Sequence, residues 1–134
     1  MLVADDSPTI RQMVESNLRS ALLSTELVGD GDAAWEKLLS FKELSRREGK
    51  PLSTYVEVVV SDIEMPRMDG FSLTKRIKSD EVLHVLPVIL YSSIITEELR
   101  HKGLSVGADD QISKPELVKV AERVISLLQG KQSH

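Results

Sequence analysis

Carboxylates stand at the ends of two apolar segments in this sequence. Residues 1–4 lead directly into Asp5 and Asp6, and residues 56–60 lead through a serine into Asp62. If both segments are strands of one parallel sheet, their carboxyl ends meet at the edge where such sheets form their functional crevice. Three carboxylates held together there would repel one another unless a cation neutralises them. The spacing therefore predicts a site for a hard divalent cation, Mg²⁺ or Mn²⁺ in its place, because such ions prefer oxygen ligands.

A hydroxyl and an ammonium follow two other apolar segments. Ser92 and Ser93 come after residues 87–91, and Lys114 comes two residues after Ile112. One divalent cation and one ammonium would formally balance the three carboxylates. An arriving phosphoryl group would then be held by the metal and the ammonium, and a carboxylate can accept it as an acyl phosphate. The set therefore predicts a phosphoryl-accepting site.

Each of these residues has a more ordinary interpretation when it is taken singly. An aspartate after a strand usually caps a helix or forms a turn, a Ser-Ser pair usually forms a turn, and a Lys-Pro pair usually enters a helix. Caps and turns alone give no reason for three carboxylates, a hydroxyl and an ammonium at the ends of four strands. The combination therefore favours the phosphoryl site.

Strand and helix patterns alternate along the whole chain. Short apolar runs predict five strands, at residues 1–4, 25–28, 56–61, 87–91 and 110–112. Apolar residues at helical spacing predict five helices, one beginning near residue 7 and the others at about 32–45, 70–79, 96–107 and 115–129, with a loop at 46–55. This alternation predicts an α/β fold, a doubly wound five-stranded parallel sheet with helices on both faces and three layers in all.

Composition and charge narrow the class of protein. With 134 residues, 41% of them hydrophobic and 28% charged, the chain fits one globular domain, expected at residues 1–129 with a C-terminal tail at 130–134. The absence of cysteine excludes disulfides and thiolate metal sites. A formal net charge of −4 without a long basic block argues against nucleic-acid binding. No apolar run is long enough for membrane insertion and no signal peptide is evident, so we expect a cytoplasmic protein.

Motifs over essentially the whole chain resemble the receiver domains of two-component response regulators, of which CheY-type chemotaxis proteins are the simplest. The resemblance rests on ADDS at 4–7, SDIEMPRMDG at 61–70, LPVILYSS at 86–93, GAD at 107–109 and SKP at 113–115. In this order and spacing the motifs are highly specific. They imply a flavodoxin-like, CheY-like (βα)5 fold. They also imply a phosphorelay signalling domain and not an enzyme. The only chemistry of such a domain is self-catalysed phosphoryl transfer from a histidine kinase and slow autodephosphorylation.

The resemblance assigns the acidic residues to metal and phosphoryl chemistry. Asp62 would be the phosphoacceptor, and Asp5 and Asp6 would hold Mg²⁺ together with Asp62 and the backbone carbonyl of Glu64. Glu64 and Ile94 would also flank the path of the water that hydrolyses the aspartyl phosphate. Apolar Ile94 cannot orient that water, whereas the Glu64 carboxylate can, so these two residues are candidate modulators of its lifetime.

The resemblance assigns the remaining residues to phosphoryl binding and switching. Ser92 would hydrogen-bond the phosphoryl group, Lys114 would pair with it, and the Lys114–Pro115 bond would be cis. Ser93 stands where alanine is common and could compete with Ser92. The chain departs from the family pattern at Gln111, which stands where an aromatic switch residue is common. As a long polar side chain, Gln111 would need a hydrogen-bond partner when buried.

A narrower resemblance is to the receiver half of CheV-type chemotaxis coupling proteins, in which a CheW-like scaffold precedes the receiver. It rests on SDIEMPRMDGFSLT at 61–74 and on the enlarged loop at 46–55. It implies a CheA-type histidine kinase, a CheW-like scaffold and chemoreceptors as partners. Strands usually have about five to six residues, so a first strand beginning at residue 1 predicts an N-terminal truncation and a domain excised from a longer protein.

Two other function classes stay open. An Mg²⁺-dependent phosphohydrolase of the haloacid-dehalogenase type would use the same aspartate as nucleophile. Such enzymes typically place a second aspartate two residues later, where Glu64 stands here, and no cap domain is evident. A receiver-like interaction module that is never phosphorylated would have no need of the complete site set. Turnover of a phosphate ester would favour the enzyme, and stoichiometric labelling would favour the switch.

Overall fold

The computed structural model describes residues 1–20, 25–114 and 120–132, with side chains up to residue 19 in the first range and residue 129 in the last. The Lys114–Pro115 bond and the expected start of the last helix lie outside these ranges. Within them, no helix is both long enough and apolar enough to cross a membrane.

One sheet of five strands forms the centre of the molecule. Its strands are β1 (Leu2–Ala4), β2 (Glu26–Val28), β3 (Val59–Asp62), β4 (Val88–Ser92) and β5 (Asp110–Ser113). Their spatial order is β2-β1-β3-β4-β5, and every neighbouring pair is parallel. The predicted doubly wound α/β fold is therefore confirmed, and the carboxyl ends of all five strands lie at the same edge.

Five helices connect and cover these strands. They are α1 (Pro8–Ser20), α2 (Gly31–Glu48), α3 (Gly70–Ser79), α4 (Glu97–Val106) and α5, which is described over Val120–Gln132. Short 3₁₀ turns at Leu52–Thr54 and Leu83–Val85 precede β3 and β4. The side chains of Asp30, Asp69 and Thr96 accept backbone N–H groups at the starts of α2, α3 and α4. These caps satisfy donors that have no partner within the helix, which explains where each helix begins.

Alternate residues of each strand face opposite layers. Val3, Val60 and Ile89 pack with α1 and α5, whereas their neighbours Ala4, Val59 and Val88 pack with α2 and α3. Since side chains alternate along a strand, the residue two positions after Val3 and the residue two positions after Val60 continue the α1/α5 face. These residues are Asp5 and Asp62, so the sheet itself aims both carboxylates to one side.

Three boundaries differ from the sequence prediction by more than one residue, and one of them is the end of α5, expected at about residue 129 but described to Gln132. Residues 46–48 belong to α2 and not to a loop, and the helix ends at Gly49, whose positive φ of 64° suits glycine. The predicted third strand began at Val56, but β3 begins at Val59. The N–H of Val56 donates to the carbonyl of Leu52, which keeps it in the preceding turn. Val56 is nevertheless buried, so its apolar character reports burial and not strand pairing.

Candidate functional site

Two aspartates follow β1 at the carboxyl edge of the sheet. The backbone N–H of Asp5 donates to the carbonyl of Val28 on β2, which extends the parallel pairing by one residue. Asp5 is fully buried, and its Oδ1 accepts the N–H of Ser7 at 2.7 Å. Asp6 is exposed. The bonds to Val28 and Ser7 therefore hold Asp5 inside the edge, while Asp6 lies in solvent.

Asp62 ends β3, which lies beside β1. Its side chain is buried, and its Oδ1 accepts the backbone N–H of Glu64 at 3.2 Å. One carboxylate oxygen from each of Asp5, Asp6 and Asp62 lies within 4.8 Å of the others. The three predicted metal ligands are therefore brought together. For Glu64, the structure places the peptide N–H against Asp62, while its side chain is exposed.

The predicted ammonium also lies at this site. Lys114, just after β5, places Nζ 3.6 Å from Asp62 Oδ2. The Lys114 side chain is 28% exposed and that of Asp62 only 3%. The lysine therefore contacts solvent and the buried carboxylate at once, which is the position needed to pair with an anion arriving from outside.

The single positive charge of Lys114 does not neutralise the negative charges of the three carboxylates. Burial, followed by the negative charge of Asp5, raises the pKa of Asp62 to about 6, against the opposing effects of the Glu64 N–H and of Lys114. Three carboxylates paired with one ammonium leave two negative charges in a largely buried pocket. Oxygen donors with this excess charge match the ligand preference of Mg²⁺. The donor set therefore fits the metal that the sequence predicted.

The other predicted site residues lie at the same edge but with different exposure. Ser92 is buried at the end of β4, opposite Ser113 of β5 in the strand register. Ser93 is exposed, and Ile94 is 69% exposed. Ser92 is therefore placed at the inner side of the crevice, whereas the two following residues form part of its rim.

Gln111 lies on β5 and faces α4. It is buried, and its Nε2 donates to the backbone carbonyl of Arg100 at 2.9 Å. Its Oε1 is buried without a hydrogen-bond partner in the part of the chain that the structure describes. The amide nitrogen of Gln111 therefore has the hydrogen-bond partner that the sequence required. Its buried oxygen has none among the described residues, which lowers the stability of the fold by about 1–3 kcal/mol.

Sequence reasoning missed Tyr91 as a residue of this site. Tyr91 was assigned only to the fourth strand, but its hydroxyl donates to Asp5 Oδ2 at 2.5 Å. Burial raises the pKa of Tyr91, and the neighbouring carboxylates raise it further, so the hydroxyl keeps its proton. One signal in the sequence was available. Tyr91 is two positions after Ile89, which places its side chain on the same face of the sheet as Asp62.

Comparison with known proteins defines the family. Residues 1–125 match the sequence profile of the response regulator receiver domain. The chain belongs to this family, which comprises signalling domains of two-component systems. It is similar in structure to the signal receiver domain of a signal transduction histidine kinase from Syntrophus aciditrophicus, with a TM-score of 0.76 and 30% identity, covering 96% of this chain and 89% of the other.

Two curated relatives are much longer than this chain. It is 33% identical over 129 residues to a gliding motility regulatory protein of Myxococcus xanthus, covering 96% of this chain and 15% of that protein. It is 28% identical over 128 residues to the chemotaxis protein CheV3 of Helicobacter pylori, covering 96% of this chain and 40% of that protein. Receiver domains as a family interact with histidine kinases and bind Mg²⁺ at an acidic pocket, and this chain has an acidic cluster formed by Asp5, Asp6 and Asp62.

Proposed function

We propose that Asp62 accepts a phosphoryl group from a histidine kinase in an Mg²⁺-dependent reaction. The observation that carries the proposal is the arrangement around this residue. Asp62 is buried, lies with Asp5 and Asp6 in one carboxylate cluster, and is paired at 3.6 Å with the partly exposed Lys114. A nucleophile held between acidic ligands and an ammonium supplies what phosphoryl transfer requires, which is positioning and charge neutralisation.

The residues divide the work of the transfer. An oxygen of the Asp62 carboxylate attacks phosphorus, a P–O bond forms, and the P–N bond to the kinase histidine breaks, leaving the electron pair on the imidazole. Lys114 pairs with the transferred group, and the Ser92 hydroxyl donates a hydrogen bond to it. Asp5, Asp6, Asp62 and the Glu64 carbonyl would hold Mg²⁺, which when bound neutralises charge on the phosphoryl oxygens.

We further propose that the phosphorylated domain signals by a change of conformation and not by turnover of a substrate. Ser92 is buried at the end of β4, next to β5, where Gln111 is bonded to α4. A movement of Ser92 toward a phosphoryl group would therefore alter the packing beside Gln111. Ser93 is the control position for this movement, because it carries the same hydroxyl but is exposed.

Intact mass spectrometry tests the phosphoryl transfer. The protein is incubated with acetyl phosphate, with and without Mg²⁺, and wild type is compared with Asp62→Asn. Asp32→Asn is a matched control, since Asp32 is an exposed aspartate in the first turn of α2. We expect one phosphoryl group on wild type and on the control, and none on Asp62→Asn or without Mg²⁺.

The outcomes of this measurement separate the function classes. Continuous turnover of acetyl phosphate with no dominant adduct would favour the phosphohydrolase. Tight Mg²⁺ binding with neither adduct nor turnover would favour an interaction module that is never phosphorylated. Labelling at a residue other than Asp62 would overturn the proposed site.

We also propose that the domain works in the cytoplasm as the receiver module of a longer chemotaxis protein, residues 1–129 being the module and 130–134 its tail. The named functions and the greater length of the two relatives, in gliding motility and in chemotaxis, support this. The partners would then be a CheA-type kinase, a CheW-like scaffold and chemoreceptors. Phosphotransfer from a purified CheA-type kinase should be faster than from a histidine kinase of another pathway, and equal rates would contradict the chemotaxis assignment.

A further inference from the structure

Tyr91 connects two strands that are not neighbours in the sheet. It lies on β4 and its hydroxyl reaches Asp5 at the end of β1, while β3 lies between these strands. Adjacent strands are about 4.8 Å apart, so β1 and β4 are separated by roughly 10 Å. A shorter side chain on this face of β4 could not span that gap. The residue must be long, and tyrosine is long, flat and ends in a donor.

The path of this side chain passes Asp62. Asp62 on β3 is the register partner of Tyr91 on β4, and both continue the face of the sheet that packs with α1 and α5. Tyr91 is fully buried and belongs to that apolar cluster. The hydroxyl therefore reaches Asp5 from within the buried cluster, whereas Asp6 and Lys114 of the site reach solvent.

Both oxygens of the Asp5 carboxylate are held by a protein donor. Oδ1 accepts the Ser7 N–H at 2.7 Å, and Oδ2 accepts the Tyr91 hydroxyl at 2.5 Å. The next acceptor for this hydroxyl, the carbonyl of Ala4, is at 3.4 Å, so its single proton is directed to Asp5. Two donors on two oxygens fix the rotation of the carboxylate plane. Asp62, in contrast, has one backbone donor and the more distant Lys114.

We propose that Tyr91 is a positioning residue that fixes the Asp5 carboxylate for a small divalent cation, and that it thereby sets both the affinity of the site for Mg²⁺ and its preference over Ca²⁺. This inference rests on the Mg²⁺ site of the proposed function. Groups that orient a metal ligand commonly change metal affinity by about 10- to 100-fold when they are removed. Mg²⁺ demands near-ideal geometry, whereas Ca²⁺ accepts flexible sites. Loss of the hydroxyl should therefore harm Mg²⁺ binding more than Ca²⁺ binding.

Isothermal titration of the unphosphorylated protein with MgCl₂ and with CaCl₂ tests the proposal. The variant is Tyr91→Phe, which keeps the ring and removes the hydroxyl. The matched control is Tyr55→Phe, the other tyrosine of the chain, whose hydroxyl contacts Glu48 and the carbonyl of Leu44. For Tyr91→Phe we expect the Mg²⁺ affinity to fall by about tenfold and the Mg²⁺/Ca²⁺ affinity ratio to fall with it. Tyr55→Phe should leave both unchanged.

A second background separates positioning from a structural role. If Tyr91 acts through Asp5, the hydroxyl should have no effect on metal affinity once Asp5→Asn is present. Thermal unfolding without metal monitors the fold of each variant. Unfolding at a lower temperature with unchanged Mg²⁺ affinity and selectivity would overturn the proposal and leave Tyr91 a packing residue. An equal loss of Mg²⁺ and Ca²⁺ affinity, or tighter Mg²⁺ binding, would also overturn it. Failure of the wild type to bind Mg²⁺ would instead contradict the proposed function itself.

Discussion

The side chain of Gln111 occupies the space that a Cβ on Gly103 would need. A methyl group added at Gly103 would lie 2.3 Å from the amide carbon and nitrogen of Gln111 and 2.4 Å from its amide oxygen. Gly103 is a buried residue within α4, and the Gln111 amide nitrogen also bonds the carbonyl of Arg100 on that helix. The close approach of α4 to β5 therefore depends on this pair, one residue without a side chain and one with a long polar side chain.

Replacing a glycine within a helix by alanine usually stabilises a protein. We expect the opposite effect at Gly103 because of its contact with Gln111. Gly103→Ala should destabilise the protein by about 1–3 kcal/mol, because the methyl group overpacks the contact with Gln111. In a Gln111→Ala background the same substitution should stabilise by roughly 0.5–1 kcal/mol, the ordinary helix preference for alanine over glycine. Urea denaturation of the four proteins in a double-mutant cycle measures both values. Additive effects would show that the two residues do not compete for space.

We expect the Asp62 carboxylate to lower the free energy of unfolding in a pH-dependent way when no metal is bound. Its pKa rises from an ordinary value of 3.8 to about 6 in the folded protein, chiefly because the carboxylate is buried. The folded state therefore holds this proton more tightly than the unfolded state, and the cost is fully present above about pH 6 and absent below about pH 4. At pH 7.5, Asp62→Asn should be more stable than wild type by on the order of 1–3 kcal/mol.

The comparison should be made by urea denaturation at pH 7.5 and at pH 4. The gain from Asp62→Asn should shrink at pH 4, since wild type then carries a neutral carboxyl as well. Saturating Mg²⁺ should also reduce the gain by stabilising wild type selectively. A gain of the same size at both pH values would mean that the substitution acts through packing and not through the charge.

We expect Asp80 to have the opposite effect on the pH dependence of stability, because its carboxylate stabilises the folded state. Burial would raise the pKa of Asp80, but N–H donors from Leu83 and Val82 and the ammonium of Lys42 together hold it below its ordinary value. The stabilisation is therefore present above about pH 4, the unfolded value, and is lost as pH falls through the lower folded value. Asp80→Asn should cost about 1–2 kcal/mol at pH 7 and progressively less on acidification.

Lys42→Gln provides the matched control for this prediction. Lys42 Nζ lies 2.9 Å from Asp80 Oδ2, whereas Oδ1 accepts the two backbone N–H groups. Lys42→Gln should therefore produce only part of the loss, because it leaves the backbone donors in place. Denaturation between pH 3 and pH 7 measures the curves. An Asp80→Asn curve parallel to that of wild type would contradict the assigned pKa.

If Asp62 is phosphorylated as proposed, we expect Glu64 and Ile94 to have different effects on the lifetime of the aspartyl phosphate. Both side chains are exposed at the crevice, but only Glu64 can accept a hydrogen bond from a hydrolytic water. Glu64→Ala should slow phosphate loss several-fold, whereas Ile94→Ala should change it little. The rate is measured as loss of the added mass after the phosphodonor is removed. Equal rates in wild type and Glu64→Ala would eliminate a role for Glu64.

The sequence predicted most of this fold because local and tertiary signals agreed. The bounds of α3, residues 70–79, were predicted correctly, since Asp69 supplies a cap and the apolar spacing continues to Ile77. The carboxylate cluster was predicted because parallel strands end at one edge and Asp5 and Asp62 directly follow or end strands. Both inferences need only the local pattern and a general rule of sheet geometry.

The features that were missed depend on contacts between distant residues. The apolar pattern predicted that Val56 lies in a strand, but its N–H donates to the carbonyl of Leu52 in a turn. Hydrophobicity alone cannot distinguish a buried turn from a buried strand, because both contain apolar residues. The contact of Tyr91 with Asp5 joins residues 86 positions apart. The fit between Gly103 and Gln111 depends on how closely a helix approaches a strand. Such distances are set by the packed structure and not by the pattern of any one segment.

The strand order also determines when the site can assemble. β1 is the first strand in the chain but lies between β2 and β3, so the segments that carry Asp5 and Asp62 are brought together only after β2, α2 and β3 have been synthesised. Lys114 arrives later still, after β5. The three residues follow or end β1, β3 and β5, and no two of these strands are consecutive in the chain. No local folding unit therefore contains all three residues. Metal binding at this edge would therefore report the pairing of β1 with β3, and a partly synthesised chain that has not reached β3 would lack the carboxylate cluster.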